Sequence, residues 1–344
     1  MKKLILAILV VTTIAEKGIA QDKQFSLSYN EAYELINEDG CKLELLSPEF
    51  KRNKAIVKIA IENCPSALQF ADESLRKDRE FVYATVKLVG EAFQFADESF
   101  RKDRTIVLAA VSSSGDALDF ADESFRKDRE IVLAAVKSYG YALQYADESF
   151  RNDKEFVLAA VKSNGDAFQY AHESFRKDRE FVLSAVKSDG DALQHAHESF
   201  RKDREIVLAA VNESPYSFQF ADESFRKDRE IVLIAVKRSA GILFKDVDES
   251  FRKDRKFILE VLKPLGYAFM YADESFRKDR KVVLAAVKQN YNMFKYADES
   301  LRKDKKFILK CIKATKGKLE GIDVSLINDK DIQKAFQSFK TEKK

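Results

Sequence analysis

Tryptophan is absent from this chain, and proline (4), glycine (11), cysteine (3) and histidine (3) are scarce for 344 residues. Length alone suggests two domains, but no Pro-, Gly- or Ser-rich linker divides the sequence. Three cysteines are too few for a disulfide framework. Beyond the first twenty residues no apolar run approaches the length of a membrane span. A glycine-rich phosphate loop, a paired-cysteine metal motif and a unique nucleophile beside a histidine are all missing, which argues against catalysis and against a cofactor.

What is present is a period. The serine of the string Asp-Glu-Ser recurs at Ser74, Ser99, Ser124, Ser149, Ser174, Ser199, Ser224, Ser250, Ser275 and Ser300, in steps of 25 with a single step of 26. Eroded copies of the same phase lie at Leu46 to Phe50 and at Ile322 to Leu326. Terminal units of a stacked array are atypical because one of their faces has no neighbour.

Local chemistry divides the unit Arg126 to Phe150 into two helices and a charged turn. Asp128 is a good N-cap, Glu130 suits the first turn, and Gly140 offers a left-handed stop. Between them Ile131 to Val136 are continuously apolar, which predicts a first helix covered all round. Ala142, Leu143, Ala146 and Phe150 then form one apolar stripe on a shorter second helix. The segment DESFRKD reads as a charged turn. No 25-residue unit buries its own core, so stability must come from stacking. The expected fold is an all-α solenoid, a superhelical stack of helix-turn-helix repeats forming one domain on the order of 100 Å long.

The layout expected from this is a leader at residues 1–20, an N-terminal capping unit at 21–45, about eleven repeats over 46–321 with a one-residue insertion near 240, and a C-terminal capping unit with a basic tail at 322–344. The leader reading rests on two lysines, an apolar run from Leu4 to Ile14 and the small residues Gly18 and Ala20. It implies a secreted or periplasmic chain that is soluble after cleavage at Gln21. The competing reading of this stretch is a hydrophobic capping helix in a cytoplasmic protein.

The formal charge of +3 hides a gradient. Residues 251–344 hold 24 Lys plus Arg against 13 Asp plus Glu, a net +11, which leaves −8 for residues 1–250. Where earlier units carry Glu80, Glu130, Glu155, Glu180, Glu205 and Glu230, the last three full units carry Lys256, Lys281 and Lys306. With Lys310 and Lys313 these make a candidate anion-binding row, for which the bland alternative is a solvated lysine face.

Other candidates weigh towards structure. His172, His195 and His197 lie in two consecutive units, but equivalent positions ~10 Å apart do not make a metal site. Interleaved arginine and lysine turn the repeated carboxylates towards ion pairing and N-capping rather than calcium binding. Gln69, Gln94, Gln144, Gln169, Gln194 and Gln219 share one slot that suits an amide ladder, a solvated face or a recognition row. Cys311 stands in a core slot. Cys41 and Cys64 fall at adjacent turns, and both a pair and two free thiols stay open, since a ~10 Å unit spacing exceeds the Cα reach of a disulfide without a favourable offset.

The string ALQYADESFRKDREIVLAAVKSYG resembles the tandem module catalogued as domain of unknown function four-one-one-six, over roughly Cys41 to Ile322. The resemblance implies short helical repeats and brings no activity, cofactor or catalytic residue with it. The sequence therefore predicts a monomeric, non-catalytic protein-protein interaction scaffold with an unnamed protein partner. The main alternative is a polyanion-binding protein using its basic C-terminal third on nucleic acid, anionic lipid or glycan; an enzyme with an unrecognised site is a weaker one.

Overall fold

A computed structural model describes residues 27–341, so the expected leader and the cleavage point at Gln21 lie outside the described residues. Every regular element among those described is helical, and the chain is an all-α array of tandem repeats. Contacts group it into two compact units that divide between Phe175 and Arg176. Each is a solenoid-like stack of the same module.

The module is clearest between Asp128 and Asp153. A long helix, Arg129–Ser138, starts where Asp128 Oδ1 accepts from the amides of Glu130 (3.0 Å) and Ile131 (3.1 Å). Such a cap contributes about 1 kcal/mol. A 3-10 helix follows at Gly140–Gln144 and a short α-helical turn at Glu148–Arg151. The link between long helices is too short for a second α-helix, and i to i+3 bonds such as Ala142 N to Tyr139 O (2.9 Å) close it instead. The apolar stripe expected there is kept although it spans two elements: Ala142, Leu143, Ala146 and Phe150 are all buried.

Two expectations about the long helix are corrected. It is not covered all round: Ile131, Val132, Ala135 and Val136 are buried, whereas Leu133 and Ala134 keep partial exposure. Stacking supplies neighbours before and behind and 3-10 helices on one side, and leaves the outer side to water. Nor does Gly140 end the helix in a left-handed conformation. The chain leaves the helix through an extended Tyr139 (φ −149°, ψ 108°). A Cβ on Gly140 would lie 2.4 Å from the Ala160 carbonyl oxygen of the next repeat, so glycine here permits close stacking.

The segment expected as a charged turn is a capped helical one. Asp147 Oδ1 accepts from both the amide (3.1 Å) and the hydroxyl (2.7 Å) of Ser149, which accounts for the repeated Asp-Glu-Ser. The amide of Asp147 donates to Arg126 O in the preceding repeat at 2.9 Å. The same rung recurs as Asp97 to Arg76 and Asp122 to Arg101 in the first unit, and as Asp222 to Arg201 and Asp298 to Arg277 in the second. A main-chain ladder thus joins successive repeats within each unit.

The extra residue near 240 is absorbed by backbone. Ala240 (φ 53°) and Gly241 (φ 86°) are both left-handed, and Gly241 N donates to Val236 O at 2.8 Å. This is the helix stop that had been expected at Gly140. The adjoining rung, Asp248 N to Arg226 O, is kept at 3.4 Å, close to the 3.3 Å of Asp97 to Arg76. At the ends of the array Tyr29–Glu38 packs on Lys54–Asn63, and Lys330–Thr341 packs on Lys305–Ala314.

Candidate interaction surfaces

Each charged residue of the Arg-Lys-Asp-Arg turn has a defined place. The first arginine reaches back to a carbonyl at the end of the 3-10 helix: Arg126 to Asp119 O (2.8 Å) and Arg151 to Gln144 O (2.7 Å). Lysine faces the next capping carboxylate, as Lys127 does Asp147 at 3.8 Å. The aspartate caps the long helix. The second arginine bridges to the next repeat, as Arg104 does to Asp128 (3.2 Å) and Glu130 (2.6 Å), and Arg204 to Asp228 (2.9 Å) and Glu230 (2.6 Å). Exposed pairs of this kind contribute about 0–1 kcal/mol each, so burial holds the stack and the ladder sets its register.

The capping carboxylates are strongly acidic for a local reason. Hydrogen bonds from the Ser74 hydroxyl and amide, then from Arg52, hold Asp72 down to about 2. Serine bonds likewise lower Asp97, Asp122, Asp147, Asp222 and Asp298. Because these values are depressed on folding, their stabilisation is complete above the ordinary carboxylate range and is lost as pH falls through the folded values. The urea midpoint, followed by circular dichroism, is therefore expected to fall steadily between about pH 4 and pH 2. A midpoint unchanged over that window would remove the capping ladder as a source of stability.

The basic row lies where the arginine rung loses its second carboxylate. Lys256, Lys281 and Lys306 occupy the first turns of Arg255–Leu262, Arg280–Gln289 and Lys305–Ala314, which pack side by side. Arg255 and Arg280 still pair with Asp279 and Asp304, but the glutamate of earlier rungs is now lysine. Lys256, Lys281, Lys306, Lys310 and Lys313 are all exposed, and among the described residues none lies within ion-pair distance of a carboxylate. A rung of one arginine and two carboxylates has become one of two cations and one carboxylate.

The face of the 3-10 helices is the second surface, and reading the glutamine slot alone missed its main feature. The Gln94 and Gln169 amides donate to Glu91 O and Asp166 O of their own turns, so these bonds are local rather than a ladder. The informative slot is the one just after the close-packed glycine. It holds Glu91, Asp116, Tyr141 and Asp166 in the first unit and Asp191, Tyr216, Ile242, Tyr267 and Asn292 in the second. Its variation between near-identical copies was the available signal. In the first unit it gathers negative charge: burial, then Glu91 and Asp119, raise Asp116 above the ordinary range. Tyr141 donates to Asp166 at 3.0 Å, and burial with that bond pushes its phenol up to about 12.

The remaining candidates are structural. His172 and His197 replace the capping aspartate, and their Nδ1 atoms stand 2.8 Å from the Ser174 hydroxyl and 2.9 Å from that of Ser199. His195 ends the 3-10 helix Gly190–His195. Cys311 is buried, and burial raises its thiol to about 12. Cys41 and Cys64 are bonded, with Cα atoms 5.5 Å apart. The ~10 Å spacing assumed for adjacent turns fails here because Gly40 lets the backbones touch. A Cβ on Gly40 would meet Ala60 O at 2.0 Å and Cys64 N at 3.0 Å.

A family model described as "Domain of unknown function (DUF4116)" matches residues 32–76, 78–126, 128–176, 178–226, 208–252, 228–277, 254–302 and 279–320, most of these stretches covering nearly two of the 25-residue units. No curated protein and no solved structure matches the chain.

Proposed function

The chain belongs to this family of tandem repeats of unknown function, and we propose that it is a non-catalytic scaffold that binds partner proteins along the face of its 3-10 helices. One observation carries the reading. Core, cap and ladder slots repeat from copy to copy, whereas the slot after the close-packed glycine runs through carboxylate, tyrosine, isoleucine and asparagine. A stacked array whose surface side chains differ in this slot presents a different surface at each repeat. Among the cysteines and histidines, His172 and His197 cap turns, Cys311 is buried, and Cys41 and Cys64 are bonded. The bonded pair also supports an oxidising compartment, in keeping with the leader. Affinity capture from the native host with the wild-type chain, with an Asp116→Lys/Asp166→Lys variant and with a Tyr216→Ala/Tyr267→Ala variant tests this. Loss of a partner from either variant is expected; identical partner sets from all three would overturn it.

The unpartnered cations of the basic row favour a second reading, in which the C-terminal end holds anionic material. Wild type is then expected to bind heparin, RNA or anionic vesicles at low salt, with affinity falling steeply as salt rises. The triple variant Lys256→Glu/Lys281→Glu/Lys306→Glu is expected to lose about 100-fold in affinity, at about 1 kcal/mol for each charge reversed. Equal binding by the variant, or none by wild type, removes this reading.

A further inference from the structure

We infer that the stretch of the 3-10 face through Tyr216, Ile242 and Tyr267 receives an acidic amphipathic helix of a partner protein. This rests on the scaffold reading above and assigns the chemistry of one partner.

The three residues hold the same slot in successive repeats of the second unit and are 47%, 44% and 55% exposed. Met270, one turn on from Tyr267, is 37% exposed in what is elsewhere the glutamine slot. Earlier copies fill the first slot with Glu91, Asp116, Asp166 and Asp191 and with a single Tyr141, which is half-buried and bonded to Asp166, so consecutive exposed apolar residues in this slot begin at Tyr216. Contiguous exposed apolar side chains with a polar rim mark interaction sites. Between the first two of these repeats lies a cleft of about 360 Å³ whose walls include Tyr216, Phe218, Ile242 and Leu243. That volume accommodates one large apolar side chain.

The cleft belongs to the insertion. The left-handed pair Ala240 and Gly241 resets the segment Ile242–Asp246. Arg226 lines the cleft. It also lies 3.9 Å from Glu223, as Arg101 and Arg277 lie 3.6 Å and 3.2 Å from Glu98 and Glu274 in their own repeats.

Charge selects the occupant. Lys245 also lines the cleft, and Lys295 follows two repeats on in the same slot; both are exposed. Against these cations the cleft carries one carboxylate, Asp246. A bound segment therefore meets apolar side chains along its centre and cations beside them. The three slots follow one another in successive close-packed turns, a span that an α-helix of about three turns covers. Such a helix places apolar residues at three- and four-residue spacing on the row and Asp or Glu towards Arg226 and Lys245.

The test selects a displayed library of random peptides of about 16 residues on the full chain. Enriched sequences are expected to combine apolar residues at helical spacing with Asp or Glu. Their affinity, measured by fluorescence anisotropy, is expected to fall about 30-fold in Tyr216→Ala/Tyr267→Ala and in Ile242→Glu, as for loss of an interface anchor, and about tenfold in Lys245→Glu. All these side chains are exposed, so unchanged thermal melts would confirm that the variants fold. Acidic peptides that bind the variants as well as wild type overturn the inference. Enrichment of basic peptides whose binding is lost with Asp116→Lys also overturns it but leaves the scaffold reading standing; no enrichment overturns both. Sedimentation showing self-association abolished by Ile242→Glu would assign the face to a second copy instead.

Discussion

Phe156→Ala is expected to destabilise the first unit by about 4 kcal/mol, the largest effect of any single truncation considered for this chain. Phe156 is fully buried in the long helix Lys154–Ser163. Its ring centroid lies 4.4 Å from that of Phe150, and the Arg129 guanidinium covers it at 4.7 Å. Removing the ring loses its burial, leaves a cavity and frees the arginine that bridges to Asp153. In a stacked array such a loss is felt first by the nearest neighbours, so urea unfolding is expected to split into two phases rather than shift as one. Other repeats supply a control, because Ile106, Ile131, Ile206 and Ile231 fill the equivalent slot. Phe156→Ile should cost no more than about 1.5 kcal/mol. If Ala and Ile variants unfold alike, the cost is not one of volume.

Cys64→Ser is expected to remove about 3 kcal/mol from the N-terminal end, the chain-entropy value for a closed loop of this length. The bond spans a sequence separation of 23 and ties the turn after Tyr29–Glu38 to the end of Lys54–Asn63. Reduction of the wild type should reproduce the variant. Hydrogen exchange is the suitable measurement because it resolves position: amides of Tyr29–Glu38 should lose protection while those of Lys305–Ala314 keep theirs. Unaltered protection at the N-terminal end after reduction would show that the cap is held by packing alone. A chain stabilised in this way is most stable where disulfides persist.

Much of the fold was legible because it is written in short-range chemistry. The Asp128 cap and the apolar run from Ile131 to Val136 act within a turn or two, and their recurrence every 25 residues points directly to an all-α repeat array. The basic row was legible for the same reason, since a Glu-to-Lys change at one slot needs only the period to be seen. The 3-10 face was not, because its defining slot carries no fixed residue type and only the fold brings it to the surface beside its copies in neighbouring repeats.

What the residues determined alone was therefore which positions are apolar, which carboxylates start helices and where the period breaks. The tertiary structure decided which surfaces meet. Gly140 is required by the Ala160 carbonyl of the next repeat, not by its own dihedral angles; Cys41 and Cys64 meet because Gly40 lets two backbones touch; Arg104 finds Asp128 and Glu130 in the repeat that follows. These partners lie 20 to 26 residues away in the chain. Their identity depends on how far each repeat is rotated and shifted on the last, a quantity set by the summed packing of buried side chains and by no local pattern.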